Sequence, residues 1–134
     1  MSSALLTVAS FLVTVALLVV VHEWGHYIVA RLAGVKILRF SVGFGRPLWM
    51  RRLGPDRTEW VIAAFPLGGY VKMLDTREVV EDEAGRERTL SAAERARAFD
   101  QQSVARRIAI VLAGPVANFL AAFLLYWALY VAGL

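Results

Sequence analysis

The sequence predicts a mainly α-helical membrane protein, with two transmembrane helices and a small re-entrant or interfacial β element between them. Three observations carry this. Met1–Val21 and Ile108–Leu134 contain no charged side chain, whereas all 15 Lys and Arg lie between Arg31 and Arg107. Hydrophobic residues make up 58% of the 134, more than an ordinary soluble domain carries. The connecting region sets β-branched and aromatic runs between Gly- and Pro-rich turns, which is a strand signature.

A hydrocarbon core about 30 Å thick needs about 20 apolar helical residues. The first transmembrane helix is expected over residues 1–30, its apolar body starting at Ala4, and the second over residues 104–134. Residues 31–74 form the β region. There Val35–Val42 and Glu59–Phe65 read as short strands, and Gly43-Phe44-Gly45-Arg46-Pro47, Gly54-Pro55-Asp56 and Pro66-Leu67-Gly68-Gly69 read as turns. Residues 75–103 form a charged, solvated loop, in which Ser91-Ala92-Ala93-Glu94 fits a capping box opening a short polar helix. Gly114-Pro115 is expected to start or kink the second helix, because Pro supplies no backbone N–H.

Charge sets the expected topology. Arg31, Lys36, Arg39, Arg46, Arg51 and Arg52 follow the first apolar run, and Arg106 and Arg107 immediately precede the second. Positive charge gathers on the cytoplasmic side of membrane proteins, so residues 31–104 are expected to be cytoplasmic or interfacial, with both termini outside. The net charge of +4 suits anionic membrane lipids rather than nucleic acid. A cleaved signal peptide would need a basic start and a shorter apolar core. Cysteine is absent, which excludes disulfides and thiolate ligands and leaves His and carboxylate for any zinc site.

The chemistry concentrates in His22-Glu23-Trp24-Gly25-His26, which holds both histidines of the chain. Side chains four apart share one face of a helix, so His22 and His26 can point at one ion. Glu23 stands on the flank of that face, as a base would. This is the spacing of a zinc metalloprotease helix, and ionisable groups at the end of an apolar helix generally mark function. The bland alternative is an interfacial helix end with snorkelling polar side chains. Gly25 is expected to admit a close backbone, and Trp24 to pack against lipid or a neighbouring helix. Asn118 lies near Gly114, Ala117, Ala121 and Ala122, a small-residue face suited to helix packing. A hydrogen bond across that face is its expected role, with contact to substrate or to a metal ligand as the alternative.

Three further stretches accompany the histidine motif in order: Arg39-Phe40-Ser41-Val42-Gly43-Phe44-Gly45, Pro66-Leu67-Gly68-Gly69-Tyr70-Val71-Lys72-Met73 and Ala113-Gly114-Pro115-Val116-Ala117-Asn118-Phe119. On these the chain resembles the N-terminal part of the site-2 protease family of intramembrane zinc metalloproteases, most nearly the bacterial regulator-of-sigma-E protease type. The resemblance implies Zn2+ held by His22 and His26, with Glu23 as the catalytic base. It implies that Gly68, Gly69 and Tyr70 lie close to substrate, a plain turn being the alternative, and Asn118 joins them if its contact is with substrate rather than across the helix face. The family's third ligand, an Asp in a Leu-Asp-Gly-type motif on a later helix, has no counterpart in these 134 residues. The resemblance also implies an endopeptidase of the bacterial inner membrane that cleaves a single-span membrane protein such as an anti-sigma factor. On that view the chain is an incomplete N-terminal portion, inactive or nearly so by itself, that associates with further C-terminal membrane helices. Two other classes stay open: a non-catalytic membrane assembly or regulatory fragment, and part of a proton or ion transporter with His22, Glu23 and His26 as a relay.

Overall fold

The computed structural model describes residues 2–134. Helix α1 runs over Ser3–Leu32, with the Ser2 hydroxyl capping the Leu5 N–H. Arg31 in its last turn offsets the negative end of the helix dipole. Most of α1 is apolar on every side, and Phe11, Val13 and Leu17 stand exposed. A helix of that kind belongs in an apolar medium rather than on a soluble surface. After the connecting region comes a second long helix, Val104–Val131, likewise long and apolar enough to cross a membrane.

Between the helices, β1 spans Ile37–Leu53 and β2 spans Thr58–Met73. They form one antiparallel hairpin whose pairs run from Leu53 with Thr58 to Ile37 with Met73. Halfway along, both strands bend at the same level, where Phe44 faces Phe65. A second set of pairs results: Arg39 with Glu59, Phe40 with Trp60, Ser41 with Val61 and Val42 with Ile62. Those numbers rise together, so the hairpin has folded back until two of its rows lie side by side in the same direction. The sheet therefore reads 65–73, 37–44, 58–63, 47–53 across its width.

The expected turns lie where this happens. Rows 37–44 and 47–53 run in opposite directions, as do rows 58–63 and 65–73, so β1 reverses across Gly43–Pro47 and β2 reverses between Ile62 and Gly69, a stretch that includes Pro66–Gly69. Gly43 adopts φ 91°, a left-handed conformation open to glycine at little cost. The Ser41 hydroxyl donates to the Gly43 carbonyl at 2.9 Å and holds the bend.

The charged segment is pinned rather than free. It carries β3 (Val80–Glu81) paired with β4 (Glu87–Arg88), then α2 (Ala92–Ala96) and a 3-10 turn at Phe99–Gln101. Ser91 and Glu94 make the expected capping box at the start of α2. The Lys36 N–H donates to the Arg97 carbonyl at 3.0 Å, and the Phe99 N–H to that of Leu74 at 2.7 Å. The Arg97 guanidinium forks onto both Asp56 oxygens at 2.7 Å and donates to the Gly34 carbonyl at 3.0 Å. That fork holds the Asp56 carboxyl below its usual range. Arg88 draws Glu94 down to about 2, and the Thr76 hydroxyl does the same for Asp100.

Helix α3 (Val104–Val131) starts with Ser103 as its cap, and Pro115 lies inside it. Gly114-Pro115 therefore does not open the helix, because the Ser103 cap has already done so. The buried core gathers Ala30, Val35, Ile37 and Ile110, with Tyr27, Met73 and Phe99 against it. Trp24 is also corrected. It stacks on Tyr27 and meets Phe40 and Trp60, so its partner is the β sheet rather than lipid alone or another helix.

Candidate metal centre

His22 and His26 come together because α1 is a regular helix through the motif. Their ring centroids are 4.8 Å apart and nearly perpendicular. What lies opposite is decided by α3. Gly25 is buried against it: a β-carbon there would collide with the Ala113 carbonyl oxygen and stand 2.7 Å from the Ala117 methyl. Absence of that carbon lets the two helices touch backbone to backbone, as small residues do in apolar surroundings.

The close approach aligns a stripe of α3 with the two histidines. His26 Nδ1 lies 2.7 Å from the Ile110 carbonyl oxygen. A carbonyl only accepts, so Nδ1 carries the proton and Nε2 is left with its lone pair. Asn118 Nδ2 lies 3.4 Å from His22 Nδ1. Between these contacts sits Gly114, over which both Nε2 atoms converge. A β-carbon on Gly114 would strike His26 Nε2 and lie 2.7 Å from His22 Nε2. Ile110, Gly114 and Asn118 recur every four residues and so share one helix face, matched to the four-residue spacing of the histidines.

Glu23 faces the row 65–73. A β-carbon on Gly69 would lie 3.4 Å from Glu23 Cγ and 3.1 Å from Val19 Cγ1, so glycine lets the strand edge come up to the carboxylate side chain. Phe44 lies on Gly68 and stacks on Tyr70 with centroids 6.2 Å apart. Glu23 and Gly69 line two cavities. One, of about 560 Å³, includes His26, Tyr70 and Phe99 and opens beside Lys72, Asp75 and Glu78. The other, of about 370 Å³, is walled by Val15, Leu18, Val19 and Phe44 and reaches His22 and Asn118.

Every residue singled out from the sequence thus falls in one neighbourhood: His22, Glu23, His26, Gly68, Gly69, Tyr70 and Asn118. Sequence reasoning missed three participants, namely the Ile110 carbonyl, the Phe44 ring and the space left by Gly114. The last had a signal, a glycine four residues before the one carboxamide of an apolar helix. Among the described residues no three His, Cys, Asp or Glu side chains form a metal-holding group. Two converging imidazole nitrogens beside a glycine do fit zinc as part of a four-donor set.

Known proteins resemble the chain over nearly all of its length. A protein of Xylella fastidiosa, provisionally assigned as a zinc metalloprotease, is 55% identical over 91% of this chain and 25% of its own length. The protease RseP of Yersinia pestis is 48% identical over 99% of this chain and 27% of its own. A regulator of sigma E protease from Haemophilus influenzae is 42% identical over 98% and 28%. The chain spans about a quarter of the length of these relatives. The model of peptidase family M50 matches residues 10–133, which takes in most of α1 with the paired histidines, the folded hairpin and α3; the chain belongs to peptidase family M50, the family of the site-2 proteases.

Proposed function

We propose that the chain carries the zinc-binding helix pair of an intramembrane metalloendopeptidase. The observation behind this is the convergence of His22 and His26 Nε2 over Gly114, with Glu23 alongside. His22 and His26 supply two ligands, and a carboxylate outside residues 2–134 supplies the third. When bound, zinc acts as a Lewis acid toward water and the scissile carbonyl. Glu23 takes the proton from the attacking water and returns it to the leaving nitrogen.

A peptide bond inside a helix is shielded by its own hydrogen bonds, so substrate must unwind before attack. The row 65–73 forms one edge of the sheet, and an extended segment can add to such an edge through its backbone. Gly68, Gly69 and Tyr70 then hold that segment beside Glu23. The apolar cavity along Val15, Leu18 and Val19 suits entry from lipid, and the cavity near Lys72 and Glu78 suits entry of water. On this reading α1 and α3 cross the bacterial inner membrane with the basic segment in the cytoplasm. Further C-terminal membrane helices complete the enzyme, and the substrate is a single-span protein. An anti-sigma factor is the favoured kind, in keeping with the sigma E named for the Haemophilus relative.

The test uses the gene product as the cell makes it, reconstituted in vesicles with a single-span model substrate. Glu23→Gln is expected to keep the zinc content and to lower cleavage at least about 100-fold, the scale of general-base catalysis. Unchanged cleavage would remove Glu23 from its role. Zinc content unaffected by His22→Ala and His26→Ala would remove the metal centre.

A further inference from the structure

Asn118 holds a carboxamide that the proposed chemistry does not use. Its Oδ1 is buried with no hydrogen-bond partner, while its Nδ2 lies 3.4 Å from His22 Nδ1. Buried polar groups are rarely left unpaired. A half-turn about the Cβ–Cγ bond exchanges the two amide atoms, which differ only in the partners they serve. After that turn Oδ1 faces His22 Nδ1. Either orientation pairs one amide atom with His22 and leaves the other unpaired, so the two differ in which His22 nitrogen carries the proton.

We propose that Asn118 Oδ1 accepts the Nδ1–H of His22 and holds that imidazole in the tautomer whose Nε2 is free for metal. Asn118 is then a positioning residue that acts through His22. His26 gives the parallel case, since its Nδ1 is already bound to the Ile110 carbonyl at 2.7 Å. Helix α3 would therefore orient both ligands, one with a backbone oxygen and the other with a side-chain oxygen eight residues on. In the opposite arrangement the His22 proton sits on Nε2, inside the gap over Gly114. A metal could enter only after that proton had moved. Partners of this kind fix tautomer and ring orientation in metal sites, and losing one costs about 10–100-fold in metal affinity.

The inference rests on the zinc reading for its purpose, but the tautomer can be measured without metal. The gene product as the cell makes it, labelled with 15N-histidine, is studied metal-free in detergent micelles, at a pH where the imidazoles of His22 and His26 are neutral. Two-bond and three-bond 1H–15N couplings then tell which ring nitrogen is protonated. Both histidines are expected to carry the proton on Nδ1. Asn118→Asp, which keeps only acceptor oxygens, is expected to preserve this and to hold zinc affinity within a few fold. Asn118→Leu is expected to move the His22 proton toward Nε2 and to weaken zinc binding about 10–100-fold, with the His26 signals unchanged as the check on fold. A wild-type His22 protonated on Nε2 overturns the proposal, and that spectrum decides even where a variant does not fold. A His22 that stays Nδ1-protonated in Asn118→Leu overturns it too. Absence of zinc binding by the whole gene product, with His22 protonated on Nδ1, would instead count against the metal reading alone.

Discussion

At the α1–α3 interface four polar side chains, His22, Glu23, His26 and Asn118, stand among Gly25, Ala113, Gly114 and Ala117. In residues 75–103, by contrast, acids and bases are dense and mutually paired: Arg77 on Asp75, Arg86 on Asp82, and Arg88 with Lys36 on Glu94. Both regions are polar clusters held by tertiary contacts, yet they use polarity differently. In the charged segment each ion pair is solvated and individually weak, and what the pairs jointly set is the path of the chain. Between the helices the polar atoms have few partners, and those partners aim them. His26 is turned by a carbonyl so that its second nitrogen faces a gap. The contrast teaches that abundance of charge marks architecture here, and scarcity marks chemistry.

Filling the gap is the strongest way to break that contrast. Gly114→Ala places a methyl against both Nε2 atoms while improving helix propensity. Zinc affinity should fall at least about 100-fold, the upper range for disturbing a ligand's surroundings, with helical content by circular dichroism unchanged. Zinc bound as tightly as by wild type would mean that the convergence over Gly114 is not the site.

The charged side of the comparison predicts a smaller effect confined to the segment. Arg97→Ala removes the fork on Asp56 and the contact with the Gly34 carbonyl. Because the Arg97 side chain is 41% exposed, charge-assisted bonds there are discounted by solvent to about 1 kcal/mol. Amide exchange at Lys36 and Phe99 should speed up, and zinc affinity should not change. Weaker zinc binding in this variant would couple two regions that the contrast separates.

Acid should produce the mildest change. Glu94 and Asp100 sit at about 2 in the fold, against ordinary values of 4.5 and 3.8. A carboxyl whose folded value lies below its unfolded one stabilises the fold above the unfolded value. That contribution drains away as pH falls toward the folded value. Amide protection in residues 75–103, the exchange rate taken relative to the intrinsic rate at the same pH, should therefore fall on acidification from about pH 4.5 to about pH 2. Unchanged protection across that window would mean that these carboxylate contacts do not hold the segment.

Several parts of this architecture can be read directly from composition and spacing. Two long uncharged runs leave the backbone no better way to satisfy its polar groups than a helix. Ser91 followed by Glu94 specifies its capping box within four residues. The pairing of His22 with His26 needs nothing but helix periodicity. The folded-back hairpin could not be read in the same way. Turn residues at Gly43–Pro47 and Pro66–Gly69 mark where the chain reverses, but which rows then lie side by side is set by the pairing of 37–44 with 58–63. Trp24 was equally ambiguous, since an aromatic ring fits lipid, helix or sheet.

Local sequence is enough to specify the two apolar helices, the basic segment between them and the histidine pair with its adjacent carboxylate. These follow from hydropathy and from the 3.6-residue turn, which act over a few residues at a time. Only the tertiary structure decided that Gly25 brings α3 against α1, that Gly114 leaves the space where the imidazoles meet, and that the Gly69 strand edge reaches Glu23. Each of those is a contact between residues distant in the chain, made where a β-carbon is missing. Local preference cannot announce the partner for which such a space is kept.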